Sequence, residues 1–187
     1  MADTSDRRSV HGHFASIPWC ARHLRGSRII TQSPECRLQK LDGKDTLYSE
    51  TLKSHTTIMA MLEVYEEPLL PTDRVNSAKA FLTLGPGLNG YAGVCHGGIV
   101  AAILDEVIGF LITLNQKRGY MPDFPYMTAY LNTKFFRPVP TCATILVQTK
   151  IIKLEGRKFL AEAWIEDSNG IVLARAEGLF VALKSVL

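Results

Sequence analysis

The sequence lacks the cysteine spacing that builds metal sites and disulfide frameworks. Its four cysteines, Cys20, Cys36, Cys95 and Cys142, are widely separated and form no CxxC pair. Neither a zinc site nor a disulfide-stabilised scaffold is therefore indicated. We interpret the four cysteines as reduced thiols of an intracellular protein.

Three further absences narrow the class of protein. No apolar run comes near the roughly 20 residues that cross a bilayer, so we expect no membrane span. The N-terminus has no signal-peptide core; its arginines leave a mitochondrial presequence open, and the cytoplasm is the default location. The glycine-rich segment 85–93 lacks the lysine followed by serine or threonine that a phosphate-binding loop requires.

Excess charge is also small. A net charge of +3 over 187 residues gives no argument for nucleic acid, but it is compatible with an anionic small molecule such as a phosphorylated carrier. The chain is 47% hydrophobic and 21% charged, an ordinary globular composition that supports a core of normal size. Its length indicates one domain with an extension.

The extension is expected to be an N-terminal, partly disordered helical arm, residues 1–75, ahead of a structured domain, residues 76–187. The arm is interpreted as a disordered start, a short helix and a longer helix, at residues 1–15, 16–24 and 46–67. The first segment is polar and has no period, whereas the other two have helical spacing. Pro68 and Pro71 are expected to end the longer helix.

The domain from residue 76 combines one apolar helix with several strands. Residues 97–115 predict a helix that is apolar on almost every side and therefore buried. Segments rich in β-branched and aromatic residues predict strands at 79–84, 128–136, 144–153, 159–166 and 171–183. The last four have short connections, which predict antiparallel neighbours, and Gly178 is expected to mark a bulge. The layout predicts an α+β fold in which an antiparallel sheet curls around a central helix.

The segment GVCHGGIVAAILDE, residues 93–106, places two acids inside this apolar helix. Asp105 shares a helix face with small residues, at Gly98, Ala101, Ala102 and Gly109. Small side chains let a ligand or another backbone come close. Glu106 lies about 100° around the helix, so the two carboxylates cannot point at one spot.

The start of the helix adds a second chemical element. The amides of Gly97, Gly98 and Ile99 belong to the first turn, where N–H groups lack helical partners and suit an oxyanion. A carboxylate two turns further along could activate water or attack a carbonyl directly. The alternative is purely structural: HGG would only start the helix, and the acids would pair with arginine at a subunit contact.

These motifs resemble the hotdog-fold acyl-CoA thioesterases. HGGIVAAILDE is similar to the helix motif of that family, MTAYLNTKFFRPVP (127–140) to one of its strands, and KLEGRKF (153–159) to one of its hairpins. The nearest likeness is to the branch that includes the PaaI-type enzymes and the mammalian carboxyl-terminal modulator protein. The resemblance covers residues 78 to 184.

The resemblance implies a role for each matching residue. Asp105 would be the catalytic carboxylate, Gly97 the oxyanion donor, and His96 a neighbour of the thioester carbonyl. Thr128 would come from a facing strand, in the other subunit, and help to position water. The remaining substrate-binding residues would be Gly98, Glu106, Arg137, Gly156, Arg157 and Lys158, the last four as contacts for the phosphates of coenzyme A.

Several alternatives remain open within this resemblance. Glu106 could share the work of Asp105, and the basic residues could be no more than a solvated strand end and hairpin tip. Cys95 beside His96 is disfavoured as a nucleophile, because adjacent residues seldom face each other.

The family implies a homodimer or homotetramer with active sites across the dimer interface, and no cofactor other than coenzyme A within the substrate. A dehydratase or isomerase acting on a polyketide-type intermediate, and a non-catalytic acyl-binding module, are the rival functions.

Overall fold

A seven-stranded antiparallel sheet forms most of the molecule. The structure, a computed structural model, describes residues 4–70 and 72–183; the expectations for residues 1–3, Pro71 and residues 184–187 lie outside the described residues. The strands of this sheet are β1 Ile29–Gln32, β2 Ile58–Glu66, β3 Ser77–Leu84, β6 Tyr126–Phe135, β7 Ala143–Glu155, β8 Lys158–Glu166 and β9 Val172–Ala182. Their order is β1-β2-β3-β7-β8-β9-β6, and a separate short pair, β4 Asn89–Tyr91 and β5 Val94–Cys95, precedes the main helix.

The main helix, α3, spans Gly97–Lys117 and lies against the inner face of the sheet. It confirms the buried helix predicted at 97–115 and, with the sheet, the predicted α+β hotdog architecture. From the sequence we expected no apolar run long enough to cross a bilayer. By length and mean hydropathy alone, α3 is long and apolar enough to do so. Half of that apolar window is buried inside the protein, and its buried side chains belong to the main hydrophobic core. Those properties are typical of a core helix.

The outer face of the sheet is covered by two N-terminal helices, α1 Thr4–Ala15 and α2 Pro18–His23. The short helix predicted at 16–24 is confirmed by α2. The disorder predicted for the first fifteen residues is wrong from Thr4 onward, because α1 is helical. Phe14 is fully buried, and its ring centre lies 5.7 Å from that of Phe81 on β3. A single anchoring aromatic gives no periodic signal, so this tertiary contact was invisible in the sequence.

The helix predicted at 46–67 is also wrong. Residues Leu47–Thr51 form one π-helical turn, and most of the remainder is strand β2. Side chains of β2 alternate between the two faces of the sheet, so that Met61 belongs to the core beneath α3 and Leu62 to the cluster beneath α1 and α2. A strand buried on both faces shows no simple alternation of apolar and polar residues. Because β1 and β2 precede residue 76, the sheet draws on both segments distinguished in the sequence.

The strands predicted after α3 all form, but one of them has a different neighbour. β7, β8 and β9 pair consecutively and antiparallel, whereas β6 pairs with β9 and not with β7. The bulge expected at Gly178 is wrong as well, since burial alternates without a phase shift through Gly178. A Cβ there would lie 3.0 Å from Ile108 Cδ1, so this glycine lets α3 approach the sheet closely.

Candidate active site

The start of α3 is shaped by His96, its N-terminal capping residue. The His96 Nδ1 atom accepts a hydrogen bond of 3.0 Å from the amide of Gly98. Nδ1 therefore carries no proton, and in the neutral ring Nε2 is left as the donor. Gly90 makes this arrangement possible, because a Cβ on Gly90 would lie 3.0 Å from His96 Cα.

The amides of the first turn are not equivalent. Gly98 donates to the His96 ring, and Ile99 donates to the His96 carbonyl at 2.9 Å. Within the described part of the chain, no acceptor is recorded for the amide of Gly97, and both glycines are exposed. Of the three amides proposed from the sequence, Gly97 alone therefore remains available to an oxyanion.

Asp105 lies two turns further along α3 and contacts strand β6. Thr128 Oγ1 donates a hydrogen bond of 2.9 Å to Asp105 Oδ1, and no donor to Oδ2 is recorded among residues 4–70 and 72–183. Burial raises the pKa of Asp105, and the hydrogen bond from Thr128 lowers it in part. Both residues belong to one chain, contrary to the expectation that Thr128 would come from the other subunit. Within this chain, Thr128 Oγ1 is placed to orient the Asp105 carboxylate.

Glu106 lies in a different environment from Asp105. Burial is the main cause that raises its pKa, and a hydrogen bond with Cys36 lowers it in part. Cys36 comes from a short 3-10 turn, Glu35–Arg37, in the N-terminal part of the chain. The two acids are thus held by separate partners, as their 100° separation on the helix predicts.

The buried thiol of Cys95 does not have the properties of a nucleophile. Burial raises its pKa to about 11, and its closest polar contact is the His96 carbonyl oxygen, at 3.8 Å. A reactive cysteine needs a lowered thiol pKa. The structure therefore agrees with the low weight that the sequence gave to a Cys–His pair.

The basic residues lie at two opposite ends of β6. Strand β6 ends at Phe135, and Arg137 follows two residues later. The Phe135 ring is the nearest contact of a Cβ placed on Gly97. Arg137 therefore lies at the end of β6 that is close to the start of α3. The hairpin tip of Gly156, Arg157 and Lys158 lies at the other end, where Lys158 and Met127 both pair with Val181 of β9. Two strand spacings, about 10 Å, separate Lys158 from Met127, the neighbour of Thr128.

The hairpin residues also have structural roles. Gly156 adopts a positive φ of 55°, which glycine tolerates best. The Arg157 guanidinium donates to the Ala182 carbonyl at 2.9 Å, and it thereby fastens the end of β9. Lys158 and Arg137 are exposed, and neither takes part in a recorded ion pair within the described residues.

A buried acid that the sequence analysis missed faces α3 from strand β2. Glu63 is 3% exposed, and burial raises its pKa from 4.5 to about 8. A glutamate enclosed in the apolar run MLEVY was the available signal, but assignment of this segment to a surface helix concealed it. Among the described residues, no group of three or more histidine, cysteine, aspartate or glutamate side chains could hold a metal ion.

Comparison with known proteins identifies the domain around α3. Residues 92–174 match the sequence model of the thioesterase superfamily. Verlamelin biosynthesis protein B of Lecanicillium sp is 28% identical over 90% of this chain and 86% of its own length. Acyl-coenzyme A thioesterase THEM4 of Bos taurus is 35% identical over 53% of this chain, which spans only 38% of that relative.

Solved structures agree with the sequence relatives. A crystal structure of a thioesterase superfamily protein superimposes with a TM-score of 0.51 and 30% identity, over 64% of this chain and 55% of the other. The matched residues include the helix start at His96, Asp105 and strand β6. Over residues 92–174 the chain is therefore similar in sequence to the thioesterase superfamily, and its fold is the hotdog fold.

Proposed function

We propose that this protein hydrolyses an acyl-coenzyme A thioester, with Asp105 as the catalytic carboxylate. The hydrogen bond of 2.9 Å from Thr128 to Asp105 Oδ1 carries the proposal. It fixes one carboxylate oxygen and leaves Oδ2 for the reacting water or carbonyl carbon. The names of the superfamily and of the THEM4 relatives support a thioester hydrolase in general.

The chemistry follows from these groups. Asp105 either takes a proton from the water that attacks the thioester carbon, or attacks that carbon itself to form an anhydride that water then opens. In both routes the carbonyl oxygen becomes negative and accepts a hydrogen bond from the Gly97 amide. The carbon–sulfur bond then breaks and the coenzyme leaves as a thiolate, which takes the proton held by Asp105 in the first route and a proton from water in the second. In the second route water opens the anhydride only after this departure. Arg137, beside the helix start, is a contact for its phosphates.

Helix geometry makes a second copy of the chain part of this proposal. Gly97 and Asp105 are eight residues apart on one helix, a distance of about 12 Å along its axis. Hydrogen bonds to a single carbonyl group need both atoms within about 3 Å of it, and an aspartate side chain spans only part of the gap. One carbonyl can therefore meet the Gly97 amide of one copy and the Asp105 carboxylate of another, across a homodimer interface.

The first experiment measures release of free thiol from short, long and aromatic acyl-coenzyme A esters. We expect turnover by the wild type and its loss in Asp105→Asn, because asparagine keeps the shape of aspartate but is not a base. Asp73→Asn, an exposed change outside the helix, is the matched control and should keep full activity. Full activity of Asp105→Asn would remove this residue from the mechanism.

A mixing experiment tests the shared site. Asp105→Asn and Gly97→Pro each inactivate one half of the proposed pair, and proline at the first helical position removes only the N–H group. Dimers formed from an equal mixture should recover about a quarter of the wild-type activity, since half are mixed and each holds one intact site. No recovery, despite proven subunit exchange, would place both groups in one chain.

A carrier-bound acyl chain is the second candidate substrate. One relative, of which this chain covers 86%, is named as a biosynthesis protein, and biosynthetic acyl chains can be bound to a carrier as well as to coenzyme A. Comparing acyl carrier protein thioesters with coenzyme A esters of the same chain separates the two substrates. Product analysis that found dehydration or isomerisation, or binding without turnover, would favour one of the rival functions.

A further inference from the structure

A cavity lies on the Glu106 side of α3. Its volume is about 680 Å³, within the range of small-molecule sites. It is enclosed by α3, the start of β6, β2 and the N-terminal segment that contains Cys36. Aromatic and aliphatic walls come from Phe110, Ile112, Leu114, Phe124, Tyr126, Met127 and Phe180.

The cavity is continuous with the elements of the reactive site. Glu106 and Gly109 line it, and they follow Asp105 on the same helix. Met127 also lines it and directly precedes Thr128 on β6. A Cβ placed on Gly109 would meet no atom within 4 Å, so the helix surface one turn beyond Asp105 is open. A chain attached to a carbonyl at Asp105 can pass over Gly109 into the cavity.

Five acidic residues line the cavity: Glu35, Asp45 and Asp123 are exposed, whereas Glu63 is buried and Glu106 is partly buried. Glu63 alternates with Met61 and Tyr65 along β2, and that face of the strand lies toward α3. Gln32 Nε2 donates to Glu63 Oε2 at 2.8 Å, whereas Oε1 has no recorded partner among the described residues. Glu106 lies close enough to raise the pKa of Glu63. Glu63 Oε1 is therefore available to a polar group of a ligand that enters the cavity.

The Tyr48 hydroxyl is a further polar group close to Glu106. Tyr48 is 4% exposed, and its oxygen has no hydrogen-bond partner within the described residues. After burial, the charge of Glu106 is the largest of the causes that raise its pKa, so the hydroxyl lies near Glu106. Tyr48 is not part of the cavity lining, so its hydroxyl belongs to the surroundings of Glu106 and not to the surface that a ligand would contact.

We propose that this cavity receives the acyl chain of the substrate, and that Glu63 and Glu106 hydrogen-bond a hydroxyl group on that chain. The inference rests on the proposed thioesterase function and adds a substrate class to it: hydroxylated acyl thioesters. Glu63, Cys36 and Tyr48 precede the superfamily match at residues 92–174. Selectivity therefore depends in part on residues outside the matched segment.

A hydroxyl group fits the carboxyl pair better than an ammonium group. Burial raises the pKa of Glu63 to about 8, so near neutral pH its carboxyl is mostly protonated, a donor as well as an acceptor. A hydroxyl also donates and accepts, and it loses little hydration free energy on burial compared with a charge. At the rim, Lys40 pairs with Asp45 and Lys117 with Glu35, so the rim has no surplus negative charge for a cation.

The test compares plain acyl-coenzyme A esters with esters of the same chain length that carry one hydroxyl group at successive carbons. We expect the wild type to prefer one hydroxylated position by about tenfold in kcat/KM, the effect of one well-placed hydrogen bond. Glu63→Leu should abolish this preference. Glu66→Leu, on the same strand but exposed and paired with Arg28 outside the cavity, should retain it.

Equal kcat/KM for all esters, or a preference that survives in Glu63→Leu, would overturn the inference and leave the thioesterase proposal intact. If no ester is hydrolysed, the thioesterase proposal fails, and calorimetry with non-hydrolysable thioether analogues tests the cavity by itself. Tighter binding of a hydroxylated analogue, lost in Glu63→Leu, supports the inference, whereas equal binding or none refutes it. Glu106→Met is the second variant if Glu63→Leu does not fold, as judged by thermal unfolding.

Discussion

Asp105 and Glu106 are adjacent in the chain, yet they belong to two different regions of the molecule. The Asp105 side of α3 is half-buried, contacts Thr128 and leads back to the Gly97 amide. The Glu106 side lies against Cys36 and a cavity that also contains Glu63. One residue step rotates a side chain by about 100° around a helix. A single helix can thus present a reacting group on one side and a recognition group on the other.

The largest expected difference between the two sides is in turnover. Asp105→Asn should lower kcat about 10³-fold, as expected when a catalytic base is lost. Glu106→Gln should change kcat for a plain acyl ester by less than about tenfold, because its carboxyl does not reach the reacting carbonyl. Steady-state thiol release measures both. A collapse of kcat in Glu106→Gln would show that the acids share the chemistry and would remove the distinction.

Loss of the oxyanion donor should have the next largest effect. Gly97→Pro removes the amide hydrogen and should reduce kcat about 10²-fold, typical of one lost oxyanion contact. Gly97→Ala keeps the amide, and its new Cβ would make an ordinary contact of 3.6 Å with Phe135, so it should stay within a few-fold of the wild type. Equal activity of the alanine and proline variants would assign the oxyanion to another donor.

The Thr128 contact should have a smaller effect, with a signature in the pH profile. Burial raises the pKa of Asp105 and the Thr128 hydrogen bond lowers it, so activity should fall as the pH drops through a value above that of an exposed aspartate. Thr128→Ala should cost about tenfold in kcat/KM and move this acidic limb to higher pH. Thr128→Ser keeps the hydrogen-bond donor, so its activity should fall at the same acidic pH as that of the wild type. An acidic fall at the wild-type pH in Thr128→Ala would contradict the proposed role.

The smallest expected effect concerns stability and belongs to the Glu106 side. The folded state holds the proton of Glu63 more tightly than the unfolded chain, since burial raises its pKa from 4.5 to about 8. The contribution of this group to stability is therefore complete below about pH 4.5 and is lost as the pH rises to about 8. Thermal unfolding should show a decline in Tm over this window that is a few degrees smaller in Glu63→Gln. An identical decline in both proteins would show that Glu63 is not the titrating group.

Sequence reasoning succeeded where local patterns and the final environment agree. The apolar residues of α3 predicted a buried helix, and strands β7, β8 and β9 followed from β-branched residues and turn signals. Asp105 and Gly97 were named from helix spacing and Thr128 from the family resemblance, and the structure joins Asp105 to Thr128 directly. It failed for β2, where Met, Leu and Glu favour a helix in isolation, but pairing with β1 and β3 selects a strand.

By itself, the sequence determined the central helix, its two acids and their division between two faces, because helical rotation is a local property of the backbone. Tertiary structure alone decided that β6 pairs with β9, that Thr128 meets Asp105 within one chain, and that Glu63 lies opposite Glu106. These contacts join residues 23 to 56 positions apart, and no local pattern encodes them. They arise because both faces of the sheet and the sides of α3 must be buried at the same time. Few arrangements of the strands satisfy this condition.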